Sequence, residues 1–212
     1  MTETFYQKED FRRLIDVSDT VFENIVSYHA LLQKWNKAIN IVSPKTLNQA
    51  WHRHLIDSAQ VAQYVPDDTN VYADLGCGGG FPGLLIAMMR PALETHLVES
   101  DERKCQFMRS VVRETSLKNV TIHTKRIEDA YEDLTPDFVT ARALASLEQL
   151  FDYCLPWVQK NPALGFGFMK GMRSSEEVEI AKARYNFTLQ SHDSITDSTA
   201  QILIVEKLQT IV

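Results

Sequence analysis

Between Asp74 and Gly83 the chain reads Asp-Leu-Gly-Cys-Gly-Gly-Gly-Phe-Pro-Gly, five glycines in ten residues. A short β-like run, Asn70-Val71-Tyr72-Ala73, precedes this segment. An apolar run compatible with a helix, Leu84-Leu85-Ile86-Ala87-Met88-Met89, follows it. Strand, glycine turn and helix in that order let backbone N–H groups and a helix N-terminus approach a nucleotide-like ligand closely. Side chains at the glycine positions would block that approach. Pro82 suits the first helical turn, where its missing N–H costs nothing. One tight strand-to-helix turn needs fewer glycines than this, so a purely structural turn is the weaker explanation.

The glycines satisfy two patterns. Gly76, Gly78 and Gly80 make G-x-G-x-G behind the acidic Asp74, a form found in enzymes that use S-adenosylmethionine. Gly78, Gly80 and Gly83 also satisfy the G-x-G-x-x-G of dinucleotide-binding folds. His96-Leu97-Val98-Glu99 reads as a second strand ending in an acid about 20 residues beyond the glycines, where a carboxylate can accept both ribose hydroxyls. That fits either cofactor. Val120-Thr121-Ile122-His123 reads as a third strand, and Arg126-Ile127-Glu128-Asp129 after it as an acidic turn suited to an adenine edge. Length favours S-adenosylmethionine, because 212 residues leave little room for a substrate domain beside a dinucleotide domain.

The first seventy residues read as helical, with Phe22, Ile25, Val26, His29, Leu32, Trp35 and Ile39 at helical spacing on one buried face. Ser43-Pro44 opens a short helix expected to run through Trp51, and a further helix is expected from Arg53 to Tyr64. From there strands and helices alternate. Asp101 caps a helix bearing Cys105, Met108, Val111 and Val112, and Phe138 to Ala141 forms strand four. A helix runs from Ser146 toward Trp157, and Gly165 to Lys170 forms strand five. Ser174-x-x-Glu177 reads as a capping box. Phe187-Thr188-Leu189 and Gln201 to Val205 pair as a terminal hairpin. These seven strands imply an α/β fold, a doubly wound and mostly parallel sheet whose ligand crevice lies at the strand carboxyl ends. The expected division is a helical extension over 1–66, packed on a cofactor-binding domain over 67–212.

A net charge of −6, from 22 basic and 28 acidic residues, argues against a non-specific nucleic-acid coat. It leaves room for a small basic face, for which His52-Arg53-His54, Arg12-Arg13 and Lys125-Arg126 are candidates. No apolar run is long enough to span a membrane, and Met1 to Tyr6 lacks the pattern of a signal peptide. Cys77, Cys105 and Cys154, widely spaced and odd in number, give neither a disulfide framework nor a metal pattern. A reducing, cytoplasmic setting and no metal are the expectation.

Five motifs in order resemble the RsmG (GidB) family of small-subunit ribosomal RNA guanine-N7 methyltransferases. Trp35-Asn36-Lys37-Ala38-Ile39-Asn40-Ile41 is similar to its W-N-K-x-x-N-L, and Arg53-His54-Leu55-Ile56-Asp57-Ser58 to R-H-x-x-D-S. Asp74 to Gly83 resembles D-x-G-x-G-x-G-x-P-G, Arg142 to Leu147 resembles R-A-F-A-S-L, and Met169-Lys170-Gly171 resembles M/L-K-G. Leu144 stands where Phe is usual, Cys77-Gly78-Gly79 replaces a turn containing Ser or Thr, and Glu99-Ser100 replaces Asp-Ser. The resemblance implies a class I, Rossmann-like methyltransferase that binds S-adenosylmethionine and methylates one guanine of 16S rRNA. The acceptor would be rRNA in the small subunit or an assembly intermediate, and the enzyme a monomer. Asp74, Gly76, Gly78, Gly80, Phe81, Glu99, Ile127, Glu128 and Arg142 would hold the cofactor. Arg53, His54, Arg142 and Lys170 would be the cations around the RNA.

The chain also lacks what other acceptors need. Amino-methylating enzymes usually carry Asn/Asp-Pro-Pro-aromatic after strand four, where this chain has Ala141-Arg142-Ala143-Leu144. Cytosine-C5 chemistry uses a nucleophilic cysteine, often in Pro-Cys, and no Pro-Cys occurs. Three competing classes remain: a methyltransferase acting on another substrate, an NAD oxidoreductase, and a non-catalytic ribosome-assembly factor.

Overall fold

The computed structural model describes residues 5–211; Met1 to Thr4, read above for a signal peptide, lie outside them, as does Val212. Helix α1 (Lys8–Leu14) leads into α2 (Asp19–Trp35), capped by Ser18 Oγ accepting from the Val21 N–H at 3.3 Å. Ile25, Tyr28 and Leu32 form the buried stripe of α2. Helix α3 (Pro44–Leu47) stops well short of Trp51, and the expected regular helix from Arg53 to Tyr64 is replaced by three windings. Trp51–Ile56 is a π-helical turn, Asp57–Ala59 (α4) is α-helical, and Gln60–Tyr64 is a 3-10 turn. Trp51, His52, His54, Leu55 and Ile56 are all buried. A regular helix facing solvent on one side buries only a stripe, so the wider winding accommodates this sequence.

The remaining elements are β1 (Val71–Leu75), α5 (Gly83–Met89), β2 (Glu94–Glu99), α6 (Glu102–Glu114), β3 (Val120–Thr124), β4 (Phe138–Arg142), α7 (Leu147–Lys160), β5 (Gly165–Lys170), α8 (Ser174–Lys182), β6 (Tyr185–Asp193) and β7 (Gln201–Thr210). They build one seven-stranded sheet in the order β3-β2-β1-β4-β5-β7-β6. Strands β1 to β5 are parallel, and β7 runs antiparallel between β5 and β6. The strand order reverses between β1 and β4, which places the ligand crevice above their carboxyl ends. The two glycines that make β5 a weak strand in the sequence are required by packing. A Cβ on Gly165 or Gly167 would lie 2.9 or 3.1 Å from the Phe138 ring.

One hydrophobic cluster joins the helical lead-in to the sheet, bringing Phe11, Ile25, Tyr28, Leu32 and Trp51 together with Leu84, Leu97 and Phe107. A second fills the opposite face around Phe151, Trp157, Phe166 and Phe168. Asp101 caps α6 as the sequence implies, accepting from the Arg103 and Lys104 N–H groups. The Ser174–Glu177 capping box does not form. Arg173 is the N-cap, Ser174 Oγ donates to Gln201 Oε1 at 2.8 Å, and Glu177 instead pairs with the buried Lys170 at 2.5 Å. A buried ammonium demands a carboxylate more strongly than a helix end does.

Candidate functional site

The glycine loop takes its shape from buried side chains that reach it from four directions. Gly76, Gly78 and Gly80 all have positive φ. Asp74 Oδ2 accepts from the Gly83 N–H at 2.8 Å, and Thr140 Oγ1 donates to Asp74 Oδ1 at 3.0 Å. From β2, Glu99 accepts from the Gly78 and Asp101 N–H groups, both at 2.9 Å. From α2, the Tyr28 hydroxyl donates to the Gly79 carbonyl at 2.5 Å. A Cβ on Gly83 would lie 2.3 Å from Leu97 Cδ2 and 2.8 Å from Asp74 Oδ2, so helix and strand meet there without room for a side chain. At Gly78 the same construction meets nothing within 4 Å, because that glycine faces open space.

That space is a cavity of about 330 Å³ lined by Gly76, Gly78, Glu99, Ile127 and Glu128, with Ser100, Lys104, Lys125, Arg126, Leu144 and Tyr153 around its edge. Five of the expected cofactor residues therefore share one wall. Asp74, Gly80, Phe81 and Arg142 do not line it. Asp74 is fully buried behind the loop with both oxygens engaged, and burial pushes its carboxyl up to about 7. Gly80 turns toward Leu84, whose Cδ1 lies 2.4 Å from where a Cβ would be. Phe81 is buried, stacked 5.1 Å from the Tyr28 ring with the Arg142 guanidinium 5.1 Å from its own ring. These residues shape the loop from behind.

The cavity suits an adenosyl ligand. Room at Gly78 lets the backbone approach, Glu99 offers remaining carboxylate lone pairs to ribose hydroxyls, and Ile127 gives an apolar surface for a purine beside the acceptor Glu128.

A second cavity, of about 310 Å³, adjoins the first through Ala143, which lines both and has φ +51. Arg53, His54, Arg142 and Lys170 all line it. Arg142 Nη1 donates to the Arg53 carbonyl at 3.0 Å and pairs with Asp57 Oδ2 at 3.3 Å, while Nη2 lies 3.3 Å from His54 Nδ1. Because a guanidinium only donates, His54 Nδ1 accepts and its Nε2–H donates to Thr46 Oγ1 at 2.9 Å. Burial first, then Arg142 and Arg53, drives the His54 imidazole down to about 3. His54 is thus neutral, not one of the expected cations. The charge of Lys170 is also committed, to Glu177 and to the Ala145 carbonyl at 2.7 Å, so it braces the turn after β4. Arg53, 43% exposed and 3.9 Å from Asp197, keeps the freest cationic head.

Asp57 carries more than its place in a six-residue motif reveals. It accepts from Thr196 Oγ1 at 2.7 Å, from Ser194 Oγ at 3.3 Å and from Gln60 Nε2 at 3.1 Å, besides pairing with Arg142. It therefore ties the β6–β7 loop to the helical lead-in and forms one wall of the second cavity. Ser194 and Thr196 are about 140 residues away in the chain, so no local spacing signals them.

A family model described as GidB, rRNA small subunit methyltransferase G, matches residues 21–205. The chain belongs to this family. It is 42% identical over 204 residues to the ribosomal RNA small subunit methyltransferase G of Parvibaculum lavamentivorans, covering 94% of this chain and 89% of that relative. The corresponding protein of Rhizobium johnstonii is 40% identical, over 92% of this chain and 97% of its own. Among solved structures, cofactor-bound Rv0187 from MTB superposes with a TM-score of 0.62 at 11% identity, over 94% of both chains. An rRNA methylase from Streptococcus thermophilus gives 0.52 at 13% identity, over 74% of this chain and 98% of that one. At such identities these two speak for the fold.

As a GidB-family chain, the protein departs from the usual pattern at Leu144, which packs on the glycine loop. A Cβ on Gly76 would lie 2.5 Å from Leu144 Cδ1. Cys77 is no nucleophile, since burial pushes its thiol well above the ordinary range.

Proposed function

We propose that the protein methylates N7 of one guanine in small-subunit rRNA, using S-adenosylmethionine held in the cavity of Gly76, Gly78, Glu99, Ile127 and Glu128. The observation that carries this reading is the pairing of two adjoining cavities at the carboxyl ends of β1 and β4. One is built for an adenosyl group, and the other is lined by Arg53, Arg142, Asp57 and Asp197. When bound, S-adenosylmethionine supplies a methyl group activated by a sulfonium centre, which a ring nitrogen with a lone pair and no proton can take directly.

Guanine N7 is such a nitrogen, so the chain need hold no general base for it. Arg142 retains its Nε–H and one Nη2–H beyond the bonds described, and these can fix the guanine O6 edge. Arg53 can hold an adjacent phosphate. The ring becomes cationic on methylation, and the carboxylates of Asp57 and Asp197 in the same cavity offset that charge. The helical lead-in closes one side of this cavity through Thr46, Arg53 and His54, excluding water and orienting the base. We take residues 1–66 as an extension serving that role and 67–212 as the methyltransferase unit. The acceptor is read as rRNA in the small subunit or an assembly intermediate, and the protein as a cytoplasmic monomer. Among the described residues no helix is long and apolar enough to cross a membrane.

The test is a single-turnover rate with saturating methyl-labelled cofactor and small-subunit rRNA from cells lacking the gene. With no proton to abstract, the rate stays nearly flat from about pH 6 to 9. A log-linear rise with pH, abolished by substituting one histidine or carboxylate, would mean that a base takes a proton. The acceptor would then be an amine or a hydroxyl.

A further inference from the structure

Among the described residues, five large apolar side chains are exposed: Leu144, Met172, Ile180, Ile195 and Ile211. Three of them stand on loops that rim the two cavities. Leu144, after β4, lines the adenosyl cavity. Ile195 lies between Ser194 and Thr196, and Met172 directly follows Lys170 and Gly171; those four neighbours all line the second cavity. Met172 is 79% exposed, whereas Met88, Met108 and Met169 are buried. The turn that presents it is closed by the Ser174 N–H donating to the Gly171 carbonyl at 2.9 Å, and the exposed Arg173 stands beside it.

Met172 thus stands uncovered on the turn that continues from Lys170 and Gly171 in the wall of the second cavity, where a strand delivering a base to that cavity would meet it. The acceptor reading supplies the occupant. A guanine that enters a cavity of about 310 Å³ must leave the stack of its neighbours. The gap it leaves is apolar on both faces and bordered by phosphates. An unbranched, polarisable side chain flanked by an arginine matches that gap in chemistry.

We propose that Met172 is a stacking wedge, which fills the place vacated by the target guanine between its neighbouring bases, with Arg173 on the adjoining phosphate. Ile195 gives further apolar contact to the displaced strand at the rim. This inference rests on the rRNA acceptor reading, and it makes Met172 a positioning residue with no contact to the methyl group.

The experiment compares Met172→Ala and Met172→Leu with the unaltered protein in single-turnover methyl transfer. One substrate is unmethylated small-subunit rRNA. The other is a synthetic fragment spanning the methylated guanine, with both neighbouring bases replaced by abasic sites so that no stack must be broken. Met172→Ala transfers at least about tenfold more slowly to the rRNA but at the unaltered rate to the abasic fragment, and Met172→Leu restores most of the loss. Affinity for S-adenosylhomocysteine and the melting temperature stay the same in both variants. Full rates for Met172→Ala on rRNA, or equal losses on both substrates, would overturn the wedge. No transfer by the unaltered protein to these RNAs, nor to small subunits or assembly intermediates that carry the unmethylated rRNA, would instead remove the acceptor reading itself.

Discussion

Gly78→Val separates cofactor binding from folding. Gly78 sits at φ +57, a conformation that costs an L-residue about 1–2 kcal/mol. Beyond the two chain neighbours nothing lies within 4 Å of the added Cβ, so packing against the rest of the fold adds little to that cost. For a chain of this length a loss of 1 kcal/mol lowers the melting temperature by about 2–4 °C, so the variant melts about 2–8 °C lower and stays folded. The new side chain, however, enters the cavity proposed for the cofactor. Crowding costs about 1–3 kcal/mol, and losing the close backbone approach costs about 1 kcal/mol more. Together these amount to about 2–4 kcal/mol, a fall in affinity of about 30-fold to 1000-fold. Titration calorimetry with S-adenosylhomocysteine, paired with a melting curve, measures both effects. Gly83→Ala is the opposite control, because its Cβ would press on Leu97 and Asp74 and unsettle the fold. Affinity unchanged in Gly78→Val would refute the placement of the cofactor at this loop.

Glu99→Ala removes the acceptor for the Gly78 and Asp101 N–H groups, and with it the proposed ribose contact. S-adenosylmethionine affinity falls by about 1–3 kcal/mol, and an unchanged dissociation constant would take Glu99 out of the site. Arg142→Ala slows methyl transfer at least about tenfold while leaving cofactor affinity within about twofold, because Arg142 lines the second cavity and not the first. Normal transfer by a folded variant would reduce Arg142 to a structural brace between Asp57 and the Arg53 carbonyl. His54 has a folded value near 3 against an ordinary 6.5, so the unfolded chain binds the proton first. Its contribution to stability is present above about pH 6.5 and is lost as pH falls toward 3; His54→Gln flattens that arm in denaturant midpoints measured against pH. An identical acid arm in both proteins would contradict the buried, neutral imidazole.

The sheet was legible because each strand is a short β-prone run between helix patterns, and the glycine loop fixed where the crevice must lie. Strand β5 was recognised despite Gly165 and Gly167, although only the structure shows that Phe138 requires them. That Gly76, Gly78, Glu99, Ile127 and Glu128 line one cavity was legible because each residue ends or follows a strand. Asp74 and Phe81 carry the same motif signal, yet sit behind the loop, because their partners Thr140 and Tyr28 come from distant segments. Lys170 and Glu177 are seven positions apart across a turn, and their pairing overrode a sound capping pattern. The π-helical turn over Trp51–Ile56 has no periodic signature, since nearly every residue in it is buried. Asp57 was visible only as a motif letter, and its partners in the β6–β7 loop lie in a stretch with no motif.

The most direct measurement is nucleoside mass spectrometry of small-subunit rRNA from cells lacking the gene, set against the same cells complemented with it. The account predicts one guanosine that loses a methyl group on deletion and regains it on complementation, with the methyl on N7. Complementation with the Gly78→Val variant leaves that guanosine unmethylated. An rRNA methylation pattern identical in all three strains, or a methyl group restored to an amine or a ribose hydroxyl, would contradict it.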